Sequence, residues 1–214
     1  MTREEVILRE FGNVGAFITN THVVFTSGRH GDAYLNKDAV YPHTELTSRL
    51  CFMLAEQFEK DEVETVIAPA LGGIILSVWV AHHLTTLNRR QVHSTFAEKM
   101  PDGSFVIGRG YDKFIRGKRV LAVEDVFTTG GSAEEVVEVA RAIGGNIIGV
   151  GGLCNRGGVT VRNVGNVPKL FTLTNVELNS WPEEECPLCK AGIPINTAVG
   201  KGRQFLEKMR CERA

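Results

Sequence analysis

The segment Val120-Leu121-Ala122-Val123-Glu124-Asp125-Val126-Phe127-Thr128-Thr129-Gly130-Gly131-Ser132 constrains this chain more than any other. An apolar β-run ends in two carboxylates. A loop of hydroxyls and glycines then opens a helix expected over Ser132 to Ile143, ended by Gly144-Gly145. Backbone N–H groups and hydroxyls at a helix start form a cradle for an anion, and glycines let the backbone approach it closely. The positive end of the helix dipole adds to the attraction. Glu124 and Asp125 beside such a cradle suit the vicinal hydroxyls of a sugar, or a metal. The whole string therefore asks for a sugar phosphate, whereas Gly-Gly-Ser alone would read as an ordinary capped helix with solvated carboxylates nearby. No Gly-Lys-Ser/Thr follows, which excludes a Walker A loop. No Gly-x-Gly-x-x-Gly opens a helix here, which excludes a Rossmann fingerprint.

The flanking sequence alternates strand and helix. A helix is expected over Arg3 to Phe11 and a strand at Val23-Val24-Phe25. An amphipathic helix is expected from Thr44, its cap, to Lys60, with Leu46, Leu50, Met53, Leu54 and Phe58 on one face. A strand at Glu64 to Ala68 leads through Pro69-Ala70-Leu71-Gly72-Gly73 into an apolar helix, Ile74 to Leu84. Strands follow near His93 to Phe96, at Arg119 to Val123 and at Asn146 to Gly151, with a loop or hairpin over Met100 to Lys118. Strand, Gly-rich turn, helix, strand is the rhythm of a parallel sheet covered by helices. Ligands in such α/β sheets bind at the carboxyl ends of the strands. The residues after Ala68, Val123 and Gly151 are therefore the ones that matter.

Composition narrows the classes. The chain has 214 residues, enough for a single domain with one sizeable core. With 24 Lys plus Arg against 25 Asp plus Glu, the net charge of −1 argues against a bulk nucleic-acid binder. The most apolar stretch, Leu71 to Leu84, carries Ser77, His82 and His83 and falls short of the ~20 apolar residues of a membrane span. The start, MTREEVILRE, is charged and is not a signal peptide, so a cytoplasmic location is expected, with the five cysteines mostly free thiols. Cys186-Pro187-Leu188-Cys189 has the spacing of half a zinc knuckle, but no second cysteine pair exists and no histidine follows nearby. It is read as structural, with an inter-subunit zinc or a redox role as the alternatives, and no protein metal ligand is assigned. His82, His83 and His93 are read as core-edge or surface residues.

The acidic pair and its loop resemble the PRPP-binding motif of the type I phosphoribosyltransferases, without a gap from the apolar strand through Glu124, Asp125, Val126, Phe127, Thr128, Thr129, Gly130, Gly131 and Ser132. The resemblance implies a central parallel sheet flanked by helices, with a small hood. It assigns Ala70, Leu71, Gly72 and Gly73 to the loop whose backbone amides take the leaving diphosphate. Elsewhere the chain is most similar to orotate phosphoribosyltransferases, over about Phe17 to Lys201. The hood segment Phe25-Thr26-Ser27-Gly28-Arg29-His30, followed by Tyr34-Leu35-Asn36-Lys37, makes Arg29, Tyr34 and Lys37 candidate base contacts. Arg156 in Cys154-Asn155-Arg156-Gly157-Gly158 and Thr128 match positions that bind orotate in that family, where a guanidinium fork suits a planar anionic ring. A mobile loop in these enzymes carries cations over the diphosphate of the neighbouring subunit. Here Lys99 fits one such position, Asp102 and Ser104 stand where a second Lys and a His are usual, and Arg109 is the nearest further cation. The Cys-Pro-Leu-Cys string also occurs in some members, which supports the resemblance without implying metal.

The resemblance thus implies one phosphoribosyltransferase domain over residues 1–214, with its hood from roughly residues 12–40 and 170–200 of the sequence. It further implies Lys99, Asp125 and Glu124 as catalytic residues, PRPP and orotate as substrates, Mg²⁺ accompanying PRPP, and a homodimer that shares its active sites. Neither membrane nor nucleic acid is an expected partner. A purine phosphoribosyltransferase and a non-enzymatic PRPP-sensing regulator are the alternatives.

Overall fold

The apolar runs become strands because parallel pairing buries them on both faces. In the computed structural model, which describes residues 2–212, the chain divides into two compact units. One is Tyr41–Val176; the other joins the chain ends, Met1–Val40 and Glu177–Ala214.

The chain starts with α1 (Arg3–Asn13), fixed by a reciprocal capping box in which the Glu5 N–H donates to Thr2 Oγ1 and the Thr2 N–H to the Glu5 carboxylate. Four two-residue strands follow: β1 (Phe17–Ile18), β2 (Val23–Val24), β3 (His30–Gly31) and β4 (Tyr34–Leu35). They pair antiparallel, β1 with β4 and β2 with β3. The larger unit contains α2 (Thr44–Ala55), β5 (Thr65–Pro69), α3 (Gly72–Asn88), β6 (His93–Lys99), β7 (Phe105–Val106), β8 (Arg119–Phe127), α4 (Gly131–Ala142), β9 (Asn146–Asn155) and β10 (Leu170–Asn175). The chain closes with α5 (Pro187–Lys190) and α6 (Gly202–Glu212). Among the described residues, no helix is long and apolar enough to cross a membrane.

The larger unit is one six-stranded sheet in the order β10-β9-β8-β5-β6-β7, parallel except for the β6–β7 hairpin. Helices cover both faces. Val150 of β9 packs in the cluster that α4 closes with Val136, Val137 and Ala140. On the opposite face Gly149 and Gly151 leave room for Phe58 and Leu54, whose atoms would lie 2.9 and 3.1 Å from an added Cβ.

Three expectations change. Thr44 does not cap α2: His43 occupies the cap position without a side-chain bond, and Thr44 is the first helical residue. The same helix tightens at Glu56 into a 3₁₀ turn over Glu56–Asp61, ended by Glu62 in the left-handed region (φ 48°). β6, β8 and β9 each run three to four residues past their expected ends. Polar residues stop the apolar pattern in β6 and β8, whereas β9 stays apolar and buried through Cys154, and the ladder continues, pairing Glu124 with Gly152, Val126 with Cys154 and Phe127 with Asn155.

Candidate active site

The carboxyl ends of β5, β8 and β9 lie side by side, and the loops that follow them gather the sugar-phosphate candidates. Because β8 continues through the acidic pair, extended backbone turns Glu124 and Asp125 to opposite sheet faces. Burial alternates accordingly: Asp125 is 3% exposed and Glu124 half-buried. A buried carboxylate needs donors. Asp125 has the Tyr41 hydroxyl on Oδ2 at 2.8 Å and the Val126 N–H on Oδ1 at 2.8 Å. Tyr41 was not among the sequence candidates, and no spacing pattern connects it to Asp125, 84 residues on.

The loop after β8 is shaped as an anion cradle. Gly130 sits at φ 87°, and a Cβ there would lie 2.5 Å from the Asn163 carbonyl oxygen, so only glycine fits. The Gly131 N–H reaches Thr129 Oγ1 at 3.4 Å, and no side chain caps α4. First-turn amides of a helix have no intrahelical partner, so this loop and helix start present donors where an anion can use them. The loop after β5 repeats the plan. α3 also lacks a side-chain cap, and a Cβ on Gly73 would lie 2.7 Å from Ala68 Cβ, so glycine lets the helix start directly on the strand. The Ala70–Leu71 peptide is cis, and Leu71 is 84% exposed. The Ala70 N–H donates to the Ala97 carbonyl at 2.8 Å. That leaves Leu71, Gly72 and Gly73, rather than Ala70, as the amide donors of this loop.

Arg156 and Thr128, more than two dozen residues apart in the chain, come together: the guanidinium Nε donates to Thr128 Oγ1 at 3.1 Å. Three features hold them. The Arg156 N–H donates to the Phe127 carbonyl at 3.0 Å, which continues the β8–β9 pairing by one residue. Asn155 closes the following turn, donating to the Val159 carbonyl and accepting from its N–H, both at 2.9 Å. Gly157 passes so near the Thr128 carbonyl that a Cβ would sit 1.6 Å from it.

Lys99 ends β6 as an exposed side chain over the Phe105 ring, 5.6 Å from its centroid. The hairpin turn behind it is ordered by Asp102, which accepts from the Ser104 hydroxyl at 2.6 Å and the Ser104 N–H at 3.0 Å; those two bonds hold the Asp102 carboxyl below its usual range. Asp102 and Ser104 thus build the turn of this hairpin. Arg109 is engaged by Glu98, to which its Nη2 donates at 2.6 Å, and that bond raises its pKa further.

The three hood candidates belong to the unit of the chain ends. Arg29 is exposed and fixed by Ser180, donating through Nε to Oγ at 3.0 Å and through Nη2 to the carbonyl at 2.6 Å. Tyr34 and Lys37 are half-buried, in β4 and in a 3₁₀ turn.

A strand-end carboxylate pair flanked by two amide-lined loops defines a class, and comparison with known proteins names it. The family model of the phosphoribosyl transferase domain matches residues 37–188, and the chain belongs to that family. Within it the chain groups with proteins named orotate phosphoribosyltransferase. The one from Pelotomaculum thermopropionicum is 40% identical over 91% of this chain and 95% of its own length. The one from Desulforamulus reducens is 39% identical over the same shares. In fold, the chain is similar to Mycobacterium tuberculosis orotate phosphoribosyltransferase solved with PRPP, at a TM-score of 0.62 and 18% identity, covering 81% of this chain and 96% of that one.

Proposed function

We propose that the protein transfers the phosphoribosyl group of PRPP to orotate, giving orotidine 5′-monophosphate and diphosphate. The Arg156–Thr128 contact carries the reading. It sets a rigid guanidinium fork against the first residue of the phosphate cradle, so an anionic planar base and a sugar phosphate can be held side by side. The relatives' shared name supports the choice of orotate.

In this reading Thr128 to Ser132 hold the 5-phosphate, and Leu71, Gly72 and Gly73 receive the diphosphate. The bond from the anomeric carbon to the diphosphate oxygen breaks, its electron pair leaving with the diphosphate. A ring-nitrogen lone pair of the anionic base forms the new bond. The ribose becomes cation-like between these events. Glu124 and Asp125 fix its hydroxyls and favour the developing positive charge, while the remote phosphate contacts hold the ring in place. Tyr41 and the Val126 amide keep the Asp125 carboxylate oriented. Arg156 and Thr128 bind the base; Arg29, Tyr34 and Lys37 are the further base contacts that the family resemblance suggests. Both Asp125 oxygens are already hydrogen-bonded and Glu124 leaves the other face of the sheet, so no protein ligand is assigned to Mg²⁺; it would enter with PRPP, held by the substrate's own oxygens. There the ion would supply charge neutralisation at the leaving diphosphate. Lys99 is the cation that the β6–β7 hairpin offers to the diphosphate of a partner subunit in a homodimer.

The test is diphosphate release from PRPP and Mg²⁺ across orotate, uracil, hypoxanthine, xanthine and adenine. Release with orotate alone is expected, with Arg156→Ala raising the KM for orotate far more than that for PRPP. A purine preference would replace the substrate. PRPP binding with no release from any base would make the protein a sensor. Mixing Lys99→Ala with Asp125→Asn subunits tests the shared-site dimer: recovered activity is expected, and no recovery after confirmed subunit exchange removes it.

A further inference from the structure

Four side chains of the chain-end unit converge: His22, His30, Cys186 and Cys189. Their ligand-type atoms all lie within 4.8 Å of one another, the one such group of His, Cys, Asp and Glu that could hold a metal among the described residues. His22, His30 and Cys186 are buried and Cys189 half-buried. His22 Nε2 lies 2.9 Å from His30 Nδ1 and 3.7 Å from both sulfurs, and His30 Nδ1 lies 3.3 Å from Cys189 Sγ.

Those four separations, of the six within the group, are close to the edges of a zinc tetrahedron, and the other two are no longer than 4.8 Å. Metal–nitrogen and metal–sulfur lengths of about 2.0–2.1 and 2.3 Å put tetrahedral edges at ~3.3 Å between nitrogens and ~3.6 Å from nitrogen to sulfur. Each observed edge is within about 0.4 Å of its ideal. The tautomers agree. His22 Nδ1 lies 2.7 Å from the Ile193 carbonyl, which can only accept, so the proton is on Nδ1 and Nε2 turns a lone pair into the cluster. A ligating histidine is usually oriented in this way by a bond from its other nitrogen. Without a cation, His22 Nε2 must accept a proton bond from His30 Nδ1. That leaves His30 Nε2, buried and with no hydrogen-bond partner, as a bare lone pair. With a cation, both facing nitrogens donate lone pairs to it and the His30 proton sits on Nε2, which has no hydrogen-bond partner in either state; its ring meets Phe205 edge-to-face at 5.0 Å.

The backbone is also set in advance. His30 exchanges both backbone bonds with Trp181 at 2.8 Å, and the His22 carbonyl accepts from the Asn196 N–H at 2.7 Å. We propose that His22 Nε2, His30 Nδ1, Cys186 Sγ and Cys189 Sγ form a closed tetrahedral site for a structural Zn²⁺. The ion ties the β2–β3 hairpin to the segment around α5, within a unit whose own strands are two residues long. Four protein ligands leave no open position, so the site is structural and separate from phosphoribosyl transfer.

The experiment uses the full chain, purified under reducing conditions, desalted, and reconstituted with zinc sulfate or with cobalt(II) chloride. About one zinc per chain is expected by elemental analysis, and the cobalt form should show the intense visible bands and thiolate charge transfer of a tetrahedral S₂N₂ site. Cys189→Ser and His30→Ala should each lose the metal, whereas Cys211→Ser, exposed on α6, should keep it. The cobalt spectrum of the unaltered chain needs no variant to fold. Zinc below a tenth of an equivalent after reconstitution, a cobalt spectrum of octahedral type without charge transfer, or an unchanged spectrum in Cys189→Ser would each overturn the site.

Discussion

The two units solve the problem of staying folded in different ways. Tyr41–Val176 buries long apolar strands between helices, with Leu54, Phe58, Ile67, Leu76, Leu84 and Leu121 fully shielded. The chain-end unit has two-residue strands and a short roster of buried apolar side chains, among them Ile7, Phe11, Val23, Val24 and Leu35. Its most enclosed polar feature is the imidazole–thiol cluster. Stability from burial scales with the apolar surface removed from water, so a unit with little of it has reason to recruit a metal. The candidate site divides the same way: the two loops proposed to hold anions follow strand ends of the large unit, where the sheet positions them.

The largest expected effect tests the metal side of that contrast. Stripping zinc with a chelator should expose residues 2–40 and 177–212 to rapid hydrogen exchange while the central sheet stays protected, a local opening of several kcal/mol given apparent zinc contributions of about 10 kcal/mol or more in small domains. Equal protection with and without metal would erase the contrast. Second, Leu54→Ala, against Gly151 in the sheet unit, should cost about 2–5 kcal/mol in denaturant unfolding. Leu35→Ala in the chain-end unit should cost less there, because its surroundings can collapse around the gap. Third, Asp125→Asn should lower turnover by roughly 10²-fold or more with folding intact. Tyr41→Phe, which removes one hydrogen bond to that carboxylate, should lower it by roughly tenfold. Wild-type turnover in Asp125→Asn would take the strand-end carboxylate out of the mechanism.

The smallest effect concerns the hairpin. The Ser104 hydroxyl and amide hold the Asp102 carboxyl below its usual range. Its contribution to the turn is therefore complete above the unfolded value of about 3.9 and is lost as pH falls through the lower, folded one. The Ser104 amide resonance should titrate below that value, and Asp102→Asn should abolish the titration. A midpoint at the ordinary carboxylate value would mean that the turn is not ordered by these bonds.

Legibility followed contiguity. The loop Thr128 to Ser132 could be read directly as a helix start because it is made of consecutive residues, and the apolar runs before it mark strands whatever they pair with. Strand ends were less legible: Glu124, Asp125, Glu98 and Lys99 interrupt the apolar pattern, yet their backbones stay in the ladder because neighbouring strands supply the partners. The failed cap at Thr44 has a related cause, since a hydroxyl residue can sit one place inside a helix as readily as before it. Arg109 could not be known as engaged, because its partner Glu98 is reached only when the β6–β7 hairpin folds back.

By itself, the amino-acid sequence determined the alternating α/β plan and the position of the acidic pair and the Thr128 to Ser132 loop between a strand and a helix, since each is encoded by side-chain periodicity or by adjacent residues. Only the tertiary structure decided that Glu124 and Asp125 leave opposite faces of the sheet, that Tyr41 holds Asp125, and that Arg156 meets Thr128. It also brought His22 to a cysteine pair 164 residues away. The physical reason is the same in each case. Such contacts depend on strand register and chain return, which are set by the packing of the whole unit and leave no periodic trace in the residues that make the contact.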